Sequence, residues 1–243
     1  MSHDRSPLPI PLPQAGEGGN VSLREIPIKA VLFDLDGTFA DTAPDLAAAL
    51  NHVRGLHDLP PLPLATIRPQ ASHGSIGLLR LGFGIEADAP EFNTLRDEFL
   101  AHYTAHICDH TTLFPGMTQL VDTLEQRGLP WGIVTNKPHR FTVPLMRALG
   151  YAERAACLIS GDTCARAKPY PDPLLKACEI MGIAPTSCIY LGDDLRDMEA
   201  GKAAEMPCIV AGYGYIDKLA NTDSWRADGE ISAPLELLNY ISH

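Results

Sequence analysis

Short runs of consecutive apolar residues recur along the chain, and stretches with helical periodicity separate them. Strands are predicted from these runs at 30–33, 130–135, 158–160, 187–191 and 208–211, with a weaker one at 230–231. A run without polar alternation suits a strand that is buried on both faces, as in a parallel sheet. Because helices alternate with these strands, the pattern predicts an α/β fold with a Rossmann-like, doubly wound parallel sheet.

The intervening stretches carry helix start and stop signals. Helices are predicted at 44–57, 118–126, 138–150, 172–182, 195–204 and 234–240. In the fourth of these, Asp172 is predicted to be the N-cap, Pro173 stands in the first turn, and Gly182 ends the helix.

The long segment between Asp36 and Trp131 shows no strand pattern. Residues 66–110 have helical periodicity throughout, and their predicted breaks are Gly74, Gly77, Gly82 and Gly84. An all-helical insertion in an α/β chain is expected to form a cap. The predicted domains are an α/β core (28–42 and 114–243), a helical cap (43–113), and an N-terminal extension (1–27).

Composition and charge limit the functional classes. The extension at 1–27 is rich in Pro and Gly and is predicted to be disordered, although a wrongly assigned start codon would give the same pattern. The formal charge of −11 and the lack of a basic run argue against nucleic acid or a membrane surface as partner. Six cysteines without a CxxC pair predict reduced thiols in a cytoplasmic protein. Neither a signal-peptide pattern nor an apolar stretch of membrane-spanning length is present.

Two carboxylates stand directly after the first predicted strand, in Asp34-Leu35-Asp36-Gly37. Side chains two residues apart lie on one side of an extended backbone, and parallel sheets bind ligands at the carboxyl ends of their strands. Two like charges this close are favourable if a divalent metal neutralises them or if one is protonated. An Asp-rich turn that closes the strand is the alternative interpretation.

Further polar groups occur in loops and at the ends of later strands. They are the pair Thr135 and Asn136, the residue Lys168, and the acids Asp193, Asp194 and Asp197. A hydroxyl and backbone N–H groups before a helix suit a phosphate, and a lysine in a proline-stiffened loop would be held in place. Each signal alone has an ordinary interpretation: a helix cap, a surface lysine, and acids that favour a helix N-terminus.

Taken together and in this order, these signals resemble the four motifs of the haloacid dehalogenase-like hydrolases over residues 28–241. The resemblance is carried by DLDGT, WGIVTNKPHRF, KPYPDPL, GDDLRDMEAG and Tyr213-Gly214-Tyr215. These segments are similar to the phosphoglycolate phosphatase-like branch with a helical cap, and within it to the N-acetylmuramic acid 6-phosphate phosphatases. One departure is Phe39, where Leu is usual after DGT; it is expected to crowd the mouth of the site or to repack the hinge.

The resemblance implies a Mg²⁺-dependent phosphatase that works through an aspartyl-phosphate. Asp34 would be the nucleophile and Asp36 the general acid and base. Mg²⁺ would be held by Asp34, the backbone carbonyl of Asp36, and Asp193. The phosphoryl group would be bound by Thr135, the N–H of Asn136, and Lys168. Asp194 and Asp197 would support these groups by orienting ligands, waters or Lys168.

Substrate recognition is expected to involve the cap. His73 and Ser75 are predicted to contact the substrate beyond its phosphate, whereas Ser72 or Ser75 as a helix N-cap is the alternative. The expected substrate is a small anionic phosphorylated metabolite, either N-acetylmuramic acid 6-phosphate or 2-phosphoglycolate. Substrate choice and oligomeric state are not fixed by the sequence.

Related activities differ at single features. A haloacid dehalogenase lacks an acid at the position of Asp36. A phosphonoacetaldehyde hydrolase needs a cap lysine, and this chain has none between Lys29 and Lys137. A phosphosugar mutase stays an alternative, because it differs in whether the cap excludes water. A non-catalytic phospho-acceptor module is the alternative from another class; Asp36 and the helical insertion argue against it.

Overall fold

The computed structural model describes residues 27–217 and 220–241. The N-terminal extension predicted to be disordered therefore lies outside the described residues, except for Pro27. No helix in the described ranges is both long and apolar enough to cross a lipid bilayer.

Six parallel strands form the central sheet, in the order β5-β4-β1-β6-β7-β8. Their bounds are β1 Ala30–Phe33, β4 Trp131–Val134, β5 Cys157–Ile159, β6 Cys188–Gly192, β7 Cys208–Ala211 and β8 Gly229–Ile231. The strand β1 lies in the middle, where Val31 pairs with Trp131 on one side and Ile189 on the other. The predicted doubly wound parallel sheet is confirmed.

Strand β1 is apolar throughout because both of its faces are covered. Val31 and Phe33 belong to one core cluster, and Ala30 and Leu32 belong to another on the opposite face. Helices α5 (Met117–Gln126) and α6 (His139–Ala148) contribute to the first cluster, and α7 (Asp172–Met181) and α8 (Leu195–Ala203) to the second. This two-sided burial explains why the strand shows no polar alternation.

Four α-helices and a 3₁₀ helix lie within residues 43–105. They are α1 Ala43–Leu56, α2 Leu64–Ile67, the 3₁₀ helix Arg68–His73, α3 Gly74–Phe83 and α4 Phe92–Ala105. The cap predicted at 43–113 occupies this segment, and its boundaries as a separate domain remain a prediction.

The expectation of no strand before Trp131 is wrong. Strands β2 (Ala40–Asp41) and β3 (Thr112–Leu113) pair antiparallel where the chain enters and leaves the helical insertion. Two-residue strands are too short to produce a periodic pattern, so the sequence gives no signal for them.

Two of the predicted helix breaks are also wrong. Gly77 and Gly82 lie inside α3, whereas Gly74 begins that helix and Gly84 ends it in the left-handed conformation, with φ +68°. A Cβ at Gly82 would lie 2.6 Å from the Leu50 side chain, so this glycine allows α3 to pack closely on α1.

Three smaller expectations are corrected. Helix α7 begins at Asp172 and is not capped by it; the Asp172 carboxylate instead binds Arg166, at 3.0 and 2.8 Å. The closing helix Pro234–Tyr240 is a 3₁₀ helix. Phe39 does not crowd the mouth of the site, because it is fully buried and stacks on Trp131 with ring centroids 5.3 Å apart.

Candidate active site

The carboxyl ends of three neighbouring strands bring the predicted polar residues together. Asp34 follows β1, Thr135 follows β4, and Asp193 follows β6, and β1 pairs with both other strands. Gly37 allows Asp34 and Asp193 to lie close together. Its φ is +83°, and a Cβ there would lie 2.2 Å from an Asp193 carboxylate oxygen.

Lys168 is buried at the centre of this site. Its Nζ lies 2.9 Å from Asp34 Oδ1 and donates to Asp197 Oδ1 at 2.6 Å and to the Tyr190 hydroxyl at 2.8 Å. Burial opposes the charge, but the two carboxylates raise the pKa of Lys168 above its ordinary value. The side chain is therefore a fixed ammonium beside Asp34.

Asn136 fixes the loop that carries this lysine. Its side-chain amide donates to the Lys168 carbonyl at 2.9 Å, and its Oδ1 accepts from the Lys168 N–H at 3.0 Å. The neighbouring Thr135 is buried, and its hydroxyl oxygen accepts from the Lys137 N–H at 3.2 Å. The structure thus joins the loop after β4 to the lysine loop.

Asp193 is held by three donors from distant parts of the chain. The Thr38 hydroxyl lies 2.9 Å from Oδ1, and the Tyr215 N–H and the Ser72 hydroxyl lie 2.9 and 3.2 Å from Oδ2. Ser72 belongs to the helical insertion, so the insertion reaches the acidic end of the sheet.

Asp36 has its own cation. Its Oδ1 accepts from Lys137 Nζ at 2.9 Å and from the Thr42 hydroxyl at 2.5 Å. Burial opposes the charge on Lys137, but Asp36 and Tyr103 raise the pKa of this lysine above its usual range. Two acids that are close in sequence are therefore each paired with a different lysine, Lys168 for Asp34 and Lys137 for Asp36.

Burial and the nearby negative charges disfavour the ionised forms of the acids beside Lys168. Burial raises the pKa of Asp34 to about 7, against the opposing effect of Lys168. Burial and the neighbouring Asp34 and Asp197 raise the pKa of Asp193 well above its usual range. One oxygen from each of Asp34, Asp193 and Asp197 lies within 4.8 Å of the others, a donor set that suits a hard divalent cation such as Mg²⁺.

The three acids are not equally available to a cation. Both oxygens of Asp197 already accept hydrogen bonds, Oδ1 from Lys168 and Tyr190 and Oδ2 from the Asp194 N–H. In Asp34, the Leu35 N–H and Lys168 both contact Oδ1, and within the described residues no hydrogen bond reaches Oδ2. Asp34 is therefore the best placed of the three as a ligand, because Asp193, like Asp197, accepts hydrogen bonds at both of its oxygens.

Asp194 and Asp197 differ in what they support. Together they form a capping box at the start of α8, but only Asp197 contacts Lys168. Asp194 instead binds the Arg196 guanidinium, at 2.8 Å from both of its oxygens. That guanidinium also donates to the Ser72 carbonyl at 2.9 Å, which ties α8 to the helical insertion.

A cavity of about 250 Å³ lies between the sheet and the helical insertion. Asp34, Asp36 and Lys168 line it from the sheet side, and His73 and Ser75 line it from the insertion. The contact of His73 and Ser75 with a substrate stays a prediction. The alternative N-cap role of Ser72 or Ser75 is wrong: His73 precedes α3, and no side-chain hydrogen bond caps that helix.

A family model for haloacid dehalogenase-like hydrolases matches residues 28–205. The chain belongs to this family. The match covers β1 to α8 and so includes every predicted site residue that contacts the cavity or its acidic end.

Curated relatives of this hydrolase are similar over most of their length. The N-acetylmuramic acid 6-phosphate phosphatase of Pseudomonas aeruginosa is 42% identical over 90% of this chain and 97% of the relative. The phosphoglycolate phosphatase of Xanthomonas campestris is 44% identical over 86% of this chain and 94% of the relative. A crystal structure of a Haemophilus somnus protein, predicted to be a phosphoglycolate phosphatase, has a TM-score of 0.78 at 24% identity and covers 87% of this chain and 97% of its own.

These relatives confirm the predicted resemblance and the assignment of this hydrolase to the phosphomonoesterases. The roles of individual site residues remain predictions. Sequence reasoning missed the contact of Lys137 with Asp36, and it considered Ser72 only as a helix N-cap, whereas the Ser72 hydroxyl contacts Asp193. Both are adjacent to residues that were singled out, Asn136 and His73, so a search one residue to either side of each motif would have found them.

Proposed function

We propose that this hydrolase is a Mg²⁺-dependent phosphatase that forms an aspartyl-phosphate on Asp34. The observation that carries the proposal is the Asp34–Lys168 pair, in which the ammonium contacts Oδ1 at 2.9 Å and Oδ2 is left without a hydrogen-bond donor among the described residues. A carboxylate fixed in this way is oriented for in-line attack on phosphorus, and Lys168 is placed to offset charge on the phosphoryl oxygens.

Asp36 carries the proton in the proposed cycle. As the bond between phosphorus and the leaving oxygen breaks, protonated Asp36 donates to that oxygen. The resulting carboxylate then takes a proton from the water that attacks the aspartyl-phosphate. This attack releases inorganic phosphate, frees the Asp34 carboxylate and leaves Asp36 protonated again. Lys137 and Thr42 hold Asp36 in position through Oδ1.

Mg²⁺ would be held by Asp34 and Asp193, with the Asp36 backbone carbonyl as the third predicted protein ligand. When bound, it supplies charge neutralisation for the acids and the phosphoryl group. Thr38, Ser72 and the Tyr215 N–H orient Asp193 for that purpose. Thr135 and the Asn136 N–H are proposed to bind the phosphoryl oxygens beside Lys168.

N-acetylmuramic acid 6-phosphate is the proposed substrate, and 2-phosphoglycolate is the second candidate. Relatives with both names match this chain at 42% and 44% identity, so identity alone does not separate them. The sequence segments quoted above favour the first. The six free cysteines support the reducing cytoplasm as the compartment.

Phosphate release tests the proposed function. With Mg²⁺, the purified protein is expected to release phosphate steadily from p-nitrophenyl phosphate and to show its highest kcat/KM on N-acetylmuramic acid 6-phosphate, about tenfold or more above 2-phosphoglycolate. A chelator should stop the reaction.

Other outcomes of this assay point to the alternatives. A single stoichiometric burst without turnover would identify a phospho-acceptor module. Conversion of a phosphosugar to an isomer without phosphate release would identify a mutase. A higher kcat/KM on 2-phosphoglycolate would make that compound the substrate.

Binding of Mg²⁺ is expected to weaken as the pH falls. Burial raises the pKa of Asp34 from its ordinary value of 3.8 to about 7 in the folded protein without metal. Over that interval the folded state binds more protons than the unfolded state, so the stability of the metal-free protein falls as the pH rises. Mg²⁺ needs the ionised acids, and below about pH 7 its Kd should rise about tenfold per pH unit for each proton displaced.

Calorimetric titration in two buffers of different ionisation enthalpy counts the protons that Mg²⁺ releases. The surface variant Asp122→Asn, whose parent carboxylate pairs with Arg154, is the control and should follow the parent curve. An affinity that does not change with pH would show that the buried acids are ionised before the metal arrives.

A further inference from the structure

Helix α4 presents one face to the cavity. Arg96, Phe99, Leu100 and Tyr103 line the cavity and follow the spacing i, i+3, i+4 and i+7 of a single helix face. Three of the four carry aromatic or aliphatic surface, and Arg96 is the one charged side chain among them. A guanidinium on an otherwise apolar wall requires an acceptor.

Among the described residues, Arg96 Nε has no hydrogen-bond acceptor, whereas the other cap arginines have partners. Arg68 pairs with Asp41, Arg80 pairs with Glu86, and Arg54 donates to backbone carbonyls. Arg96 Nε is buried and finds no acceptor within the described part of the chain. A buried N–H of a charged group without an acceptor is costly, which points to an acceptor supplied by a bound molecule.

The sheet side of the cavity carries two further arginines, of which one is free to bind an anion. Arg196 already donates to both oxygens of Asp194 and to Ser72. Arg140 lies in the first turn of α6, is exposed, and stacks its guanidinium 4.7 Å from the Phe141 ring centroid. No carboxylate within the described residues pairs with it.

We infer that Arg96, assisted by Arg140, binds a carboxylate of the substrate at a subsite separate from the phosphoryl site. The inference rests on the proposed function, in which the phosphate is bound at Asp34 and Lys168. Both proposed substrates carry a carboxylate besides their phosphate: the lactyl group of N-acetylmuramic acid 6-phosphate and the acid of 2-phosphoglycolate. A guanidinium binds a planar carboxylate through two parallel hydrogen bonds. A substrate whose only anionic group is its phosphate would not form these bonds with Arg96.

Matched substrate pairs test this subsite. N-acetylglucosamine 6-phosphate is N-acetylmuramic acid 6-phosphate without the lactyl acid, and ethyl phosphate replaces 2-phosphoglycolate in the same way. Arg96→Gln is expected to lower kcat/KM for the carboxylate-bearing member by roughly 10- to 100-fold, mainly through KM, and to change its partner by less than about twofold. Arg140→Gln should give a smaller loss, about threefold, with the same selectivity.

Two further variants serve as controls, one for the charge of Arg96 and one for the loss of any cap arginine. Arg96→Lys keeps the positive charge but not the pair of parallel N–H donors, and it should recover part of the kcat/KM that Arg96→Gln loses. Arg80→Gln removes an arginine of the same cap that pairs with Glu86 and does not line the cavity, so it should alter neither substrate. Melting temperatures of all variants check that each is folded.

The outcomes separate this inference from the proposed function. A parent protein that hydrolyses both members of each pair with equal kcat/KM, or an Arg96→Gln loss that is equal on both, overturns the subsite and leaves the phosphatase standing. A parent that releases phosphate from none of the esters, p-nitrophenyl phosphate included, overturns the proposed function and this inference together.

Discussion

The Asp34→Asn protein is expected to lose turnover while becoming more stable without metal. Asn has the shape of Asp but cannot attack phosphorus, so kcat should fall roughly 10⁴-fold or more. Burial raises the pKa of Asp34 to about 7, which means that its ionised form is disfavoured in the fold. At about pH 8 the neutral amide should therefore raise the melting temperature of the metal-free protein by about 2–8 °C.

The pH dependence of this gain is the sharper part of the prediction. At about pH 5 the gain should be smaller, because Asp34 is protonated in the folded parent. It should disappear only below the ordinary pKa of 3.8, where Asp34 is protonated in the unfolded chain as well. Scanning calorimetry in a chelating buffer at both pH values measures the difference. Asp122→Asn, a surface change outside the cavity, should alter neither activity nor this pH trend.

A different pattern would reject Asp34 as the nucleophile. Retention of more than about a hundredth of kcat would mean that another group attacks phosphorus. A variant less stable than the parent at about pH 8 would mean that the Lys168 ion pair outweighs the desolvation of Asp34.

The sheet and the acidic end were predictable because they follow from local rules. The run Ala30–Phe33 is buried on both faces, and such a run is visible as an unbroken apolar stretch. Since neighbouring parallel strands end on the same edge, residues after β1, β4 and β6 were expected to meet there, and Asp34, Thr135 and Asp193 do.

The rest of the site depends on contacts that no local pattern encodes. Lys137 reaches Asp36 across 101 positions, and Ser72 reaches Asp193 across 121. Which face of a loop turns inward is decided by packing between the insertion and the sheet, so these contacts appear only in the folded chain. The buried Nε of Arg96 is a similar case, because its significance lies in the acceptor that it lacks within the described part of the chain.

Replacing Lys168 by Met is expected to destabilise the protein more than any other single change at the site. Among the described residues, its ammonium is the one cation in contact with both Asp34 and Asp197, at 2.9 and 2.6 Å, and its side chain is only 3% exposed. Removing one member of a buried ion pair leaves uncompensated charge, at a cost of about 3–5 kcal/mol. For a chain of this size that corresponds to a melting temperature lower by about 6–20 °C.

The loss at Lys168→Met should depend on pH in a defined direction. Lys168 is the largest of the effects that lower the pKa of Asp34 against burial, so without it that acid holds its proton to higher pH. The destabilisation is then greatest at about pH 8, where Asp34 is ionised, and smaller at about pH 5, where a proton on Asp34 replaces the missing cation. Lys176→Met on α7 removes a surface lysine paired with Glu179 and should shift the melting temperature by less than about 1 °C. If both methionine variants melt alike in a chelating buffer, or if the Lys168→Met loss is the same at both pH values, Lys168 does not neutralise the buried acids, and the charge balance on which the proposed catalysis depends is wrong.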